Sequence, residues 1–434
     1  MSFFFALIFM ILVFWRPQEW LVPGLYGFPI LDIVTAIACL GFLVECSEKR
    51  ARIPAEPATF LFAGILVSAM MSHVANTYLA GMVAAFSEVW KLSFFCILLF
   101  SVTDRPSRLR AIAMVFVSMA CVMSVHALLQ QKYGYGFAQQ MPLLKTSPGS
   151  DEYSFRSLFF GIFGDPNDLA QILATGIPFA FVLTRMGGVV AFVIGAGITA
   201  LLISGILATQ SRGGLLALLA SVAVGIIQMV PRRWLWPLLL MMAVGALGLC
   251  PYAGPFLDES AHDRVVFWGQ ANYAFKQNPL FGVGYGMISD YVQDDRAIHN
   301  AFVLCYSELG LFGYWVWVTL LVAGVVGSWR VRNELRNAES TDARYVARFA
   351  GLAIAATSGF MVSSYFLSRA YQYPLFFLLV GLNAVPMVAQ ALLPDHCRRL
   401  SLSWREVLLY GTVGTFGSLV YVYISIVLLN KAYA

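Results

Sequence analysis

The residues of this chain that could do chemistry are few and lie between positions 164 and 310. His299, followed by Asn300, opens an apolar run. An ordinary imidazole titrates at about pH 6.5, so His299 could take a proton from a hydroxyl at neutral pH. The same side chain could equally serve as a local hydrogen-bonding group at the start of a helix. Arg212 stands in Ser211-Arg-Gly-Gly214 at the end of another apolar run, and Arg264 stands four residues before Trp268. A guanidinium fork matches the oxygens of a phosphate, and glycines beside it let a ligand or a second backbone approach closely. The structural alternatives are a charge at a membrane interface for Arg212 and a salt bridge to Asp258, Asp263 or another nearby acid for Arg264. Gly164-Asp-Pro-Asn-Asp168 precedes a further apolar run. There Asp165-Pro166 makes a turn and Asn167 or Asp168 can cap the next helix. With Ser211 and Asn300, Asp165 and Asn167 form a set of possible supporting groups. No HxxxH or His–carboxylate spacing suggests a metal site.

These residues must be positioned by the elements around them. Val265, Trp268, Ala271 and Phe275 recur at helical spacing, and Asn278-Pro279 ends that pattern. A glycine-rich stretch, Gly282-Val-Gly-Tyr-Gly286, follows, then His299-Asn300 and Glu308-Leu-Gly310. The pattern predicts a helix near a membrane surface, a tight turn, and re-entry into apolar surroundings at His299. If Glu308 shares one helix with His299, nine residues place it about 13 Å away and on another side, so it is a poor orienting partner. Val283-Gly-Tyr-Gly286 has the letters of a potassium-channel filter, but Gly282 stands where that filter has threonine.

Composition sets the environment. The chain has 434 residues, 59% hydrophobic and 12% charged. A soluble domain carries about 25% charged residues, so lipid must be the solvent for most of this surface. The net charge of +5 is spread over short loops. That excludes a clustered nucleic-acid-binding face and fits a membrane topology pattern. The seven cysteines lie in or beside apolar runs, which favours packing over a disulfide framework.

Apolar runs long enough to span a bilayer centre on 30–45, 59–75, 80–102, 111–130, 168–184, 188–209, 214–230, 235–253, 300–327, 347–367, 374–392 and 406–429. A short first run, Ser2 to Trp15, lacks a preceding basic stretch and a cleavage site, and reads as a further span. The fold class predicted is therefore an all-α polytopic membrane protein with 12 or 13 helices, in a single integral membrane domain over 1–434. With the N-terminus in the cytoplasm, 17 Lys and Arg residues fall on the cytoplasmic side and ten on the other. The two long loops, about 131–167 and 254–298, then both face outward.

The ordered set Gly-Asp-Pro-Asn-Asp at 164–168, Ser-Arg-Gly-Gly at 211–214, Arg264-xxx-Trp268, Asn-Pro-Leu-Phe-Gly-Val-Gly-Tyr-Gly at 278–286, His299-Asn300 and Glu308-x-Gly310 resembles the bacterial O-antigen ligase family and its relatives, the O-antigen polymerases. The resemblance covers about 160–310; the flanking spans agree only in hydropathy and number. It implies an inner-membrane, lipid-dependent (GT-C-like) glycosyltransferase bundle of 12 spans, one fewer than the largest count above, with a helical periplasmic loop. It implies a metal- and nucleotide-independent, inverting transfer in lipopolysaccharide biosynthesis. The glycan passes from undecaprenyl diphosphate to lipid A–core in ligases, or to another lipid-linked repeat in polymerases. By the same resemblance Arg212 and Arg264 hold the diphosphate and His299 activates the acceptor hydroxyl, with no cofactor. Two guanidinium groups would stabilise the leaving diphosphate and favour the neutral imidazole that a base requires.

The rivals are a polymerase, a ligase that attaches glycan to protein, and a lipid-linked glycan flippase. A flippase needs a route open alternately to both faces, often lined by charges within spans. Here Lys91, with Glu88 beside it, is the strong charge deep within one, while the polar groups gather toward one face. The topology predicts that cysteines introduced into 131–167 and 254–298 react with an impermeant thiol reagent added from the periplasmic side. Labelling of either segment from the cytoplasm alone would overturn the orientation.

Overall fold

The computed structural model describes all residues except 26, 147–152, 185–187, 230–258, 293–296, 394–398 and 434. The expected span 235–253 lies outside the described residues. So do Arg185, Arg232, Arg233, Cys250, Asp258, Asp294, Asp295, Arg296, His396, Cys397 and Arg398.

The chain is an all-α polytopic membrane protein. Every other expected apolar run forms a helix: α1 Ser2–Trp15, α2 Ile30–Ser47, α3 Pro57–Val74, α4 Leu79–Val102, α5 Pro106–Tyr133, α6 Pro166–Thr184, α7 Gly188–Thr209, α8 Arg212–Met229, α10 Ala301–Leu335, α11 Thr341–Ser364, α12 Tyr373–Leu392 and α13 Trp404–Tyr433. The helix predicted from the 265–275 pattern is α9, Glu259–Gln277, and it stops at Asn278-Pro279 as expected. Among the described residues nine helices are long and apolar enough to cross a membrane, and α1 and Arg212–Gln228 are shorter apolar helices. One departure falls in the 131–167 loop, where β1 Leu143–Thr146 pairs antiparallel with β2 Tyr153–Arg156.

The chain divides into two compact units. The first comprises Met1–Gly41, Pro106–Gly254 and Ala347–Ser363. Within it α6 packs on α5, α7 and α8, and α1 packs on α5. Small residues allow the close approach, because lipid tails offer no hydrophobic drive between helices. Gly214 faces Ala170, and Gly205 faces Ser124 and Leu173, with no room for a side chain. Two buried amides donate across helices. Gln171 donates to the Phe360 carbonyl at 3.1 Å and to Ser363 Oγ at 2.9 Å, and Gln228 donates to the Gly351 carbonyl at 3.0 Å. His126 is buried in α5 among Phe137, Phe159 and Phe160 and accepts the Phe137 N–H at 3.0 Å. It is the packed, hydrogen-bonded residue its place within a span suggests.

The second unit comprises Phe42–Arg105, Pro255–Val346 and Ser364–Ala434. Its centre is α10, which packs on α3, α9, α12 and α13. This helix breaks at Gly310 (φ 64°, ψ −169°), a conformation open only to glycine. The break removes the i→i−4 bonds that Leu311 and Phe312 would make to Ser307 and Glu308. The segment after α9 replaces them. Leu311 N–H donates to the Pro279 carbonyl at 2.8 Å and Phe312 N–H to Leu280 at 3.0 Å, while the Ser307 and Glu308 carbonyls accept from Val283 (2.9 Å) and Gly284 (3.1 Å). Two glycines make this interlock possible: a Cβ on Gly282 (φ 73°) would strike the Glu308 carbonyl, and one on Gly310 would strike Leu280.

From α3, His73 Nε2 donates to the Tyr285 carbonyl at 3.0 Å and Ser72 accepts the Tyr285 N–H at 2.9 Å, while Asn76, just beyond the helix, donates to the Gly282 carbonyl at 2.9 Å. His73 is thus a buried helical residue bonded to the turn. Because the atoms in the way are backbone, Gly282→Ala and Gly310→Ala should each destabilise the protein by about 2 kcal/mol or more. Thermal melting in detergent checks this. A melting temperature unchanged in either variant would contradict the interlock.

Candidate active site

In the first unit the sequence-predicted groups Asp165, Asn167, Ser211 and Arg212 are brought together at adjoining helix starts. Asp165 Oδ1 accepts the Asn167 N–H at 2.7 Å and Pro166 is the first residue of α6. Asp165, rather than Asn167 or Asp168, therefore caps this helix. Asn167 instead spends its side-chain oxygen on tertiary contacts: it accepts from Ser211 Oγ at 2.7 Å and from Arg156 Nη2 at 3.1 Å. Ser211 Oγ in turn accepts the Gly214 N–H at 3.1 Å, capping α8. The Gly-Asp-Pro-Asn-Asp and Ser-Arg-Gly-Gly motifs thus form one hydrogen-bonded corner.

Arg156 was legible only as one of the ten outer basic residues, yet it completes that corner. Its Nε donates to the Thr209 carbonyl at 3.1 Å, and Gln131 donates to the Ala208 carbonyl at 2.9 Å. These bonds satisfy carbonyls that α7 leaves orphaned at its C-terminus. Between α7 and α8 the chain turns through Gln210, which adopts a left-handed φ of 50°. Arg212 follows, half-buried, as the first residue of α8. A cation at the positive end of a helix is disfavoured unless an anion joins it. The positive end of a helix and a guanidinium attract the same kind of anion.

In the second unit α9 carries Arg264 and Trp268. Its buried face, with Val265, Trp268, Ala271 and Ala274, meets α10. Asn272 accepts from the Tyr306 hydroxyl, and the rings of Phe275 and Tyr306 meet edge-on at 5.0 Å. Trp268 Nε1 donates to the Ile298 carbonyl at 2.8 Å. Arg264 lies one turn before Trp268 on the same helix, about 6 Å along the axis. His299 follows Ile298, half-buried, with φ 52°. Asn300 is fully buried and caps α10, accepting from Phe302 (3.0 Å) and Val303 (3.1 Å). The helix that carries Arg264 and the loop that leads to His299 and Asn300 therefore meet through Trp268.

Glu308, buried on α10, has the backbone of Gly286 and Ile288 and the hydroxyl of Tyr371 as its neighbours. It serves the turn rather than His299. Burial, reinforced by the nearby Glu308 and Glu88 carboxylates, pushes the Tyr285 phenol well above its ordinary range. Burial does the same to Tyr371. Both phenols stay protonated and can only donate or accept hydrogen bonds.

The O-antigen ligase family model matches residues 197–318. That stretch contains Ser211, Arg212, Arg264, Trp268, His299, Asn300 and Glu308, and leaves Asp165 and Asn167 before it. A comparison with curated proteins gives no match. The family that the ordered motifs resemble and the family that residues 197–318 match are one and the same: the O-antigen ligases, membrane glycosyltransferases.

Proposed function

We propose that this protein is a periplasm-facing, inverting glycosyltransferase of the inner membrane. It moves a glycan from undecaprenyl diphosphate to the hydroxyl of lipid A–core, as an O-antigen ligase. The observation that carries this reading is the family match over 197–318, which encloses both arginines and the histidine. The local geometry supports it: Arg212 sits at the N-terminal end of a helix suited to an anion, and Arg264 and His299 are joined through Trp268.

In the reaction, the acceptor hydroxyl oxygen attacks the anomeric carbon on the face opposite the diphosphate. The carbon–oxygen bond to the diphosphate breaks and its electron pair leaves with undecaprenyl diphosphate. His299 takes the hydroxyl proton. Arg212 and Arg264 stabilise the charge that grows on the leaving group, an interaction stronger in the transition state than in the ground state. Asp165, Asn167, Ser211 and Asn300 support the helix ends on which these groups stand.

His299→Ala should abolish transfer of a defined lipid-linked glycan by the purified protein while leaving donor binding and melting temperature near those of the parent. Transfer at close to the parental rate would refute its role as base. Offering lipid A–core and a second lipid-linked repeat side by side separates ligase from polymerase. Elongation of the repeat with no product on lipid A–core would select the polymerase.

Arg212→Lys and Arg264→Lys keep the charge but lose the fork, so each should lower transfer substantially, and alanine more so. If the two arginines serve one diphosphate, the double variant should be non-additive in transfer and donor affinity. Additive losses with unchanged donor affinity would leave them as separate structural residues.

A further inference from the structure

His299 stands out among the candidate groups for its backbone. A histidine in the left-handed region is strained, and such a residue persists only where its surroundings over-determine it. The surroundings do so here through a single peptide group. The Ile298–His299 peptide has its carbonyl bonded to Trp268 Nε1 at 2.8 Å and its N–H bonded to Ser368 Oγ at 2.8 Å. Both ends of that plane are held by side chains from other parts of the second unit, α9 and the loop between α11 and α12. On the other side of His299, Asn300 is fixed as the cap of α10. Rotation about the His299 backbone is thus bounded by a pinned peptide before it and a helix after it.

The two pins are themselves anchored. Trp268 is 2% exposed, and its ring meets Tyr365 edge-on at 5.5 Å. Two residues beyond Ser368, the Ala370 carbonyl accepts from the buried Trp317 of α10 at 2.9 Å. The loop that carries Ser368 is therefore tied back to the helix that His299 precedes.

We infer that Trp268 and Ser368 are positioning residues for proton transfer: they hold the Ile298–His299 peptide so that the imidazole meets the acceptor hydroxyl. The inference rests on the reading of His299 as the base. A misplacement of about 1 Å at a reacting group can cost on the order of a hundredfold in rate, so a loosened peptide acts on the chemical step rather than on binding.

The test uses the full-length protein in detergent or nanodiscs with a lipid-linked glycan donor and lipid A–core. Trp268→Phe keeps the ring and loses the indole N–H; Ser368→Ala loses the hydroxyl; Ser368→Thr restores one. Trp268→Phe and Ser368→Ala should each lower kcat roughly ten- to a hundredfold. KM for the donor should stay within about twofold, and Ser368→Thr should recover most of the rate. A kcat loss matched by a fall in melting temperature, or a loss that Ser368→Thr fails to recover, would make the contacts merely structural and overturn the inference. Parental kcat in both variants, with His299→Ala inactive, would overturn it while leaving His299 as base. Full activity in His299→Ala would remove the base itself, and the positioning role with it.

Discussion

A helix broken inside apolar surroundings must have its freed backbone groups bonded again, because neither lipid nor packed side chains can replace water. At Gly310 that requirement organises the second unit. Two N–H groups and two carbonyls of α10 lose their helical partners, and the stretch from Pro279 to Gly284 supplies all four. The glycine-rich motif is thereby explained as a replacement for one turn of helix rather than as a ligand cradle. Gly282 is dictated by the approach of two backbones, and Ser72 and His73 of α3, with Asn76 just beyond it, fasten the far side of the stretch. Since the same stretch begins where α9 ends, the interlock also ties the helix of Arg264 to the helix that His299 precedes.

Arg212 and His299 share a local architecture despite lying in different units. Each sits where a helix begins and where the chain has just passed through, or itself occupies, a left-handed residue: Gln210 at φ 50° and His299 at φ 52°. Side chains at such starts project beyond the helix, since Cα–Cβ bonds lean toward the N-terminus. The first backbone N–H groups project the same way and carry the positive end of the dipole. Neither feature helps folding, and placing a cation at the first residue of α8 works against it. Strained or unfavourably charged positions of this kind persist only where the surrounding structure holds them. Fixed hydrogen bonds offset the difference: the Asp165–Asn167–Ser211–Arg156 corner in the first unit, and the Trp268, Ser368 and Asn300 contacts in the second.

The long α10 and its neighbour α12 show how polar groups survive in the apolar interior. Asn383 of α12 donates to the Leu320 and Leu379 carbonyls, Ser328 of α10 to Leu382, and Trp317 to Ala370. Each polar group finds a backbone carbonyl, which is what a low-dielectric interior demands.

The sequence alone determined what depends on period and solvent. Apolar runs of bilayer length must be helices, so all of those among the described residues are found as such, and the 3.6-residue pattern of Val265, Trp268 and Ala271 marks the buried face of α9. Residue type and motif made His299, Arg212 and Arg264 candidates, and the resemblance of the ordered motifs implied their roles. Only the tertiary structure decided which groups those residues lean on. Asp165 rather than Asn167 or Asp168 caps α6, because Asn167 is drawn into a bond with Ser211, 44 positions later in the chain. Arg156, His73 and Ser368 carry no local signal, since the carbonyls and N–H groups they satisfy belong to segments distant in sequence. The antiparallel pairing of 143–146 with 153–156 was likewise invisible in four-residue strands. Local periodicity is written in the order of residues, whereas a long-range hydrogen bond exists only after the backbone has closed on itself.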